Sequence, residues 1–309
     1  MVVQSLPSLS CPRCRQIMPA VQLTARPRPA ASYRDCLRKC ARCGVAYSNG
    51  RSRPTLIYED PLDNLPPPLR PGALDLLERS MNVDNRSNKR AKFGFIRSED
   101  AVTWTIFVGL QRSIPFALPA ICRALFDLSI EQPPELLLWG ASVEGGEGGR
   151  AVEERLIRIS DHLGERARSR SEPDVILDFG PAGLVVIEVK YQSSNDHRER
   201  ANWAPYLDER RAFDQPRLAQ SSGLYELVRN WRFAHDLAGS RPFLLVNLAP
   251  KRTLETTAGR ALFERSLGAK ENGRFLPLSW TDFLGVVEEQ EVQRPPWWDP
   301  YVESRSLRS

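Results

Sequence analysis

Five of the six cysteines of this 309-residue chain fall between residues 11 and 43, as Cys11-Pro-Arg-Cys14 and, 21 residues later, Cys36-x3-Cys40-Ala-Arg-Cys43-Gly44. Two Cys-x2-Cys pairs separated by 25 residues each make a tight turn that aims two thiolates at one ion, and together they supply a tetrahedral four-sulfur site. Zinc is the expected metal. The segment is short and polar, so metal binding has to supply its folding free energy. A pair of disulfides is the alternative, but Met1 to Ser10 lacks the basic-then-apolar layout of a secretory signal and a reducing cytosol disfavours it. Cys36 is surplus. It competes with Cys40 for the third position, yet Cys40 and Cys43 form the two-residue knuckle followed by Gly44, so Cys11, Cys14, Cys40 and Cys43 are the expected ligands. Cys122 lies in the apolar stretch Ile121 to Phe126 and reads as a buried small hydrophobe.

The spacing is similar to that of zinc ribbons, small β modules used to dock nucleic acid or protein; spacing alone does not choose between those partners. Charge adds a direction. Met1 to Tyr58 holds ten Lys or Arg against the single acid Asp35, whereas the remainder holds 33 against 37. A local cationic surplus is the footprint of a chain that meets phosphates, and no basic amphipathic helix accompanies it to suggest a membrane surface. With 41% hydrophobic and 26% charged residues the chain has the make-up of a globular protein with a sizeable core. Its longest nearly uninterrupted apolar run, Ala101 to Leu110, is about half a membrane span, and a cytoplasmic location is expected.

Residues 1–58 form the expected zinc module and 59–87 a Pro-rich linker and lead-in, with Pro61 to Pro71 a stiff extended connector. Residues 88–290 form the main domain and 291–309 a tail. In the main domain Glu99 to Gln111, capped by Ser98, reads as a buried helix, and a second helix follows Pro115. Leu136 to Val143 reads as a strand and Ala151 to Arg168 as a charged amphipathic helix. Val175 to Phe179 and Leu184 to Tyr191 are β-rich runs around Gly180-Pro181-Ala182-Gly183, a hairpin signal. A long helix over Gln215 to Leu237, a strand over Pro242 to Leu248, a helix over Leu254 to Leu267 and a strand running into a helix over Phe275 to Val287 complete an α/β mixed sheet flanked by helices.

Two acidic positions frame the hairpin. Pro173-Asp174 opens its first strand and Glu188-Val189-Lys190 closes its second. Side chains alternate along a strand, so Glu188 and Lys190 share one face while Val185, Ile187 and Val189 take the other. Asp174 joins the charged face only when hairpin partners sum to an even number such as 362 or 364, which requires an odd loop, for example three residues; two- and four-residue loops set Asp174 opposite Val189. An acid-x-Lys triplet is expected about once by composition, so its setting after a hairpin carries the weight. A salt bridge at a strand end is the bland reading. The functional one is phosphodiester hydrolysis: two carboxylates hold Mg²⁺ or Mn²⁺, and Lys190 positions or deprotonates the attacking water and offsets charge on the phosphate.

Pro173-Asp174, Glu188-Val189-Lys190 and the element order around them, over roughly residues 88 to 290, resemble the PD-(D/E)xK nuclease superfamily, the restriction-endonuclease-like αβββαβ fold. The resemblance implies a Mg²⁺-dependent DNA endonuclease, restriction-like or defence-related, with Asp174 and Glu188 as metal ligands and Lys190 as the catalytic lysine. Superfamily members often add an acid from the first core helix; Glu99 matches it, with Glu153 and Glu154 as rivals. RecB-type relatives carry Gln and Tyr on the helix after the lysine strand. Here Gln220 and Tyr225 stand one position too far apart, so Gln220 is a further candidate, Gln215 an alternative and Tyr225 a core residue, and an endonuclease is favoured over a processive exonuclease. The rivals are a non-catalytic zinc-ribbon protein on a degenerate nuclease scaffold, binding nucleic acid or protein, and an RNA-processing nuclease.

Asn85 to Lys92 is a basic segment suited to a phosphate backbone or to solvent alone. Gly145 to Gly149 lacks the Gly-Lys-Ser/Thr ending of a phosphate loop and reads as a flexible connection. His162, His197 and His235 show no ligand spacing, which argues against His-metal or His-activated chemistry. Pro295 to Trp298 is expected to pack over the main domain.

Overall fold

Rich in proline and turn residues, the N-terminal segment extends no strand beyond three residues among its described residues. The computed structural model describes residues 4–52, 54–114, 116–126, 130–195, 202–207, 212–255, 257–267, 272–290 and 293–308; His197 lies outside them. Strands β1 (Gln4–Leu6), β2 (Leu9–Ser10), β3 (Ile17–Met18) and β4 (Val21–Leu23) make two antiparallel pairs, β1 with β4 and β2 with β3. An antiparallel meander of β5 (Arg38–Cys40), β6 (Val45–Tyr47) and β7 (Leu56–Tyr58) follows. Its outer edge is closed by the main domain: Ile57 bridges Phe95, Tyr58 N–H donates to the Gly94 carbonyl at 2.9 Å and Ile96 N–H to that of Leu56 at 2.9 Å.

The stretch from Pro61 to Pro71 is not the extended connector its prolines suggest. It forms two 3-10 turns, Pro61–Asn64 and Pro67–Leu69, each starting on the proline position where no N–H is needed. Asp60 caps the first by accepting from Leu62 N–H at 2.9 Å. Leu65 and Leu69 are then buried in the main core.

Helices α1 (Ala73–Arg79), α2 (Arg86–Phe93), α3 (Glu99–Ser113) and α4 (Ala117–Phe126) come next. Ser98 Oγ accepts from Ala101 N–H at 3.2 Å to start α3, whose residues Ala101 to Leu110 are all buried. The single strand expected over 136–143 is broken where Trp139 (φ 52) and Gly140 (φ 78) turn the chain back, leaving a hairpin of β8 (Glu135–Leu138) and β9 (Ala141–Ser142). Helix α5 (Glu147–His162) starts inside the glycine run expected to be a flexible connection. A Cβ at Gly149 would lie 2.1 Å from Ser142 Oγ, so this helix packs on β9 only through glycine.

The core hairpin, β10 (Val175–Asp178) and β11 (Leu184–Val189), leads to α6 (Pro216–Ser221) and α7 (Tyr225–Ala238). Gly223 (φ 72) divides what was expected as one helix. Then come β12 (Phe243–Ala249), α8 (Ala258–Leu267), β13 (Gly273–Ser279), α9 (Trp280–Glu289) and α10 (Trp298–Ser304). The six-stranded sheet runs β13-β12-β11-β10-β8-β9, parallel among β11, β12 and β13 and antiparallel elsewhere, a mixed α/β sheet.

Alternation builds a core on each face. Val175, Leu177, Val185, Ile187 and Val246 pack towards α3, α4 and α9, while Ile176, Leu184, Val186 and Leu245 pack towards α5 and α7. The C-terminal residues do not trail: Trp298, Val302 and Leu307 complete the α3 side. Arg305 is buried and donates to Asn64 Oδ1 at 2.6 Å and to the Ile96 carbonyl at 3.0 Å. No single described helix is long and apolar enough to cross a membrane.

Candidate metal centre and acidic cleft

The two cysteine knuckles are built alike. Cys11 N–H donates to the Gln16 carbonyl at 2.8 Å and Arg15 N–H to that of Cys11 at 2.9 Å, closing the first turn. The residue after each second cysteine, Arg15 (φ 63) and Gly44 (φ 57), takes the left-handed conformation that reverses the chain under the sulfurs. One ligand atom from each of Cys11, Cys14, Cys40 and Cys43 lies within 4.8 Å of all the others, and the Cys14 and Cys40 sulfurs are 3.5 Å apart. Tetrahedral zinc at about 2.3 Å from each sulfur needs sulfurs ~3.8 Å apart, so the group fits a metal such as zinc. The Gln16 backbone amide, with the Cys43 thiol next, lowers the Cys14 thiol to about 7, the direction a ligand thiolate needs. Cys36 stands apart, buried against Ala46 and Ile57 with its thiol directed to the Ser32 carbonyl at 3.4 Å. Burial pushes it up to about 11.

At the other site the hairpin register decides the geometry. Val175 faces Ile187, Leu177 faces Val185 and Asp178 faces Leu184, partners summing to 362, and Phe179 N–H donates to the Gly183 carbonyl across the three-residue turn Gly180–Ala182. Extended by one residue, this register sets Asp174 opposite Glu188, on the face that also carries Lys190. All three line one open cleft of about 970 Å³, with Glu99 from the start of α3.

The cleft binds its own charges tightly. Lys190 Nζ donates to Glu188 Oε1 at 2.5 Å and lies 2.8 Å from Glu226 Oε2. Asn230 Nδ2 donates to the second Glu188 oxygen at 2.5 Å. Asp174 Oδ2 accepts from Val189 N–H at 2.8 Å, and Glu99 Oε2 accepts from Tyr191 N–H and Ser193 Oγ, each at 2.7 Å. Burial, then the negative charge of Glu188, raises the Asp174 carboxyl well above the carboxylate range, while burial raises Glu99. Burial works to lower Lys190, but Glu188, Asp174, Glu226 and Glu99 outweigh it and hold the ammonium above its ordinary value. Four carboxyl groups surround the Lys190 ammonium, and a second cation stands beside them: burial works to lower the Arg229 guanidinium, but Glu188 and Glu226 outweigh it. Among the described residues, only the four thiols bring three or more His, Cys, Asp or Glu ligand atoms within 4.8 Å of one another. A Mg²⁺ ion here would rest on Asp174 and Glu188 alone, as that ion commonly does with one or two carboxylates.

Other sequence candidates fall elsewhere. Gln220 and Gln215 are exposed, Gln220 on α6, and neither lines the cleft, because the break at Gly223 turns α6 away. Tyr225 does line it, packed edge-on to Trp203 and Tyr206. Glu153 accepts from Ser142 N–H and Glu154 is exposed beside Arg158; both lie outside the cleft. The basic segment 85–92 forms most of α2: Lys89 and Lys92 both line the cleft, Lys89 paired there with Glu172.

Glu226, Asn230 and Asn247 were missed. Glu226 and Asn230 are four residues apart on α7 and so share the face over Glu188, a spacing hidden by the search for a Gln and Tyr. Asn247 is the lone polar residue of β12, in register with Glu188, and among the described residues neither amide atom has a hydrogen-bond partner although the residue is buried. Compared with family models, with curated proteins and with solved structures, the chain matches none.

Proposed function

We propose that the chain is a Mg²⁺- or Mn²⁺-dependent nuclease of the PD-(D/E)xK kind, cutting DNA internally, with a zinc-bearing N-terminal module beside its cleft. The observation that carries this reading is the even hairpin register, which gathers Asp174, Glu188 and Lys190 on one face in a cleft also lined by Lys92, Arg97, Arg166 and Arg229. Asp174 and Glu188 would hold the ion, which supplies Lewis-acid polarisation of a phosphoryl oxygen. Lys190, kept protonated by its carboxylate neighbours, acts as a donor that offsets phosphate charge rather than as a base. Asn230 and Glu226 fix the rotamers of Glu188 and Lys190, and Glu99 braces the strand end after Lys190. Ala30, Ala31 and Thr55 of the module line the same cleft, which supports a role for the module in seating the substrate.

One observation favours a second reading: both Glu188 oxygens are occupied by Lys190 and Asn230, the pattern of a closed structural ion pair in a non-catalytic binding protein. Plasmid cleavage with Mg²⁺ separates the two. Wild type is expected to nick the DNA, and Asp174→Ala and Lys190→Ala to lose on the order of a hundredfold or more; equal activity in the variants rejects the site. Matched DNA and RNA substrates decide which polymer is cut.

A further inference from the structure

Away from the acidic cleft, α5 and α7 run antiparallel. At one end the Arg155 guanidinium donates to the Leu237 carbonyl; at the other Glu165, just beyond α5, accepts from Tyr206, which abuts Tyr225. Between the helices lies a groove of about 640 Å³ lined by the guanidinium groups of Arg155 and Arg158 from α5 and Arg232 from α7, with the imidazoles of His162 and His235 beside them. Spacings of three and four residues put Arg155, Arg158 and His162 on one stripe, and Arg232 and His235 continue the stripe that Arg229 begins in the cleft. The acids facing these groups are Asp236, 2.8 Å from Arg232 and 2.9 Å from His235, Glu154, 3.7 Å from Arg158 at the rim, and Asp178, which acts on Arg155 and pairs with Arg241 at 2.7 Å. An ordinary surface intersperses both signs; here cations from two helices converge on a concave strip.

We infer that this groove is a binding track for the phosphate backbone of a polynucleotide, continuous with the acidic cleft through Arg229 and Arg166. The inference rests on the nuclease reading for what happens at the cleft, not for the binding itself. Along α7 the ten steps from Glu226 to Asp236 span about 15 Å, the axial length of roughly four phosphates of one strand. A strand whose phosphate sits at Lys190 therefore has its next few phosphates over Arg229, Arg232 and Arg158. Burial, then the Arg241 guanidinium, holds Arg155 below its ordinary value, with Asp178 opposing and Arg158 adding to the effect.

The test is fluorescence anisotropy of the full-length protein, without added Mg²⁺, on a labelled 30-nucleotide DNA, single-stranded and duplex, across a salt series. Arg158 and His162 are exposed, so their replacement leaves the core alone. The Arg158→Ala, His162→Ala double variant is expected to bind more weakly and to lower the salt slope by about one, and Arg158→Lys to keep the wild-type slope. No binding by wild type, or an unchanged slope and affinity in the double variant, overturns the track. In parallel, hydrolysis of bis(p-nitrophenyl) phosphate with Mg²⁺ reports on the cleft alone. If wild type hydrolyses no phosphodiester while the double variant still loses DNA affinity, the nuclease reading falls and the track stands. If hydrolysis occurs and the double variant binds like wild type, the reverse holds.

Discussion

The N-terminal module and the main domain are organised by opposite means. The inner cluster of the module consists of Cys11, Met18, Cys40, Val45 and Leu56, so two of its five buried members are metal-site cysteines. The main domain buries Trp104, Trp139, Trp231, Trp280 and Trp298 almost completely, on both sides of a sheet whose central strands are apolar on both faces. Ordering each residue costs about 1–2 kcal/mol of backbone entropy, and the small module has little apolar area to set against it. Where burial is scarce, a ligand cluster takes its place. Where burial is ample, buried charges are paired: Lys190 with Glu188 and Glu226 at one end of the sheet, and Asp178 with Arg241 at the other.

The sharpest way to break this contrast is to remove the ligands. Purified protein should contain about one zinc per chain, and Cys40→Ser with Cys43→Ser should lose it. Structural zinc sites carry apparent binding free energies of about 10–16 kcal/mol, so the module should unfold and become protease-sensitive while the main domain keeps its thermal transition. Full zinc retention in that variant contradicts the four-sulfur assignment.

A core truncation asks the reverse question. Trp298 is fully buried in the α3-side core, and Trp298→Ala should cost about 3–5 kcal/mol, read from denaturant midpoints, with zinc stoichiometry unchanged. A loss of zinc as well would show that the seam through Ile57 and Phe95 couples the two parts more tightly than their separate cores imply.

These differences also explain what was legible in the sequence. Cysteine spacing acts locally, so the four ligands could be named from it, and Cys36 set aside because the knuckle needs two intervening residues. Strand periodicity makes the hairpin legible and sets the parity condition on Asp174 and Glu188; the three-residue turn at Gly180–Ala182 is an odd loop that meets it. Long-range packing was not legible. Prolines at 61 and 67 read as an extended linker, yet each opens a turn that carries Leu65 and Leu69 inward. The C-terminal helix reads as a tail until Arg305 is seen reaching Asn64 across the chain. Gln220 was misplaced because a helix break at one glycine redirects every residue before it.

A smaller effect, of opposite sign, is expected beside the cleft. Asn247 is buried with no hydrogen-bond partner for either amide atom among the described residues, and such burial costs about 1–3 kcal/mol. If burial governs the main domain up to the sheet end, Asn247→Leu should raise the melting temperature by a few degrees. A clear drop would mean that the amide contributes to holding Glu188, its neighbour in register, in place.

The smallest effect belongs to the fifth cysteine of the module. Cys36 packs on Ala46 and Ile57, outside the sulfur cluster, so Cys36→Ala should keep one zinc per chain and cost no more than ~1 kcal/mol. Its reactivity offers an independent check. With the thiol pushed up to about 11 by burial, only about one molecule in a thousand carries the thiolate at pH 8, and the thiolate is the reactive form. Cys36 should therefore resist alkylation in the native, zinc-loaded protein. Rapid labelling there would contradict the buried, protonated thiol, and a zinc content that falls in Cys36→Ala would make Cys36 rather than Cys40 the third ligand, with six residues between it and Cys43.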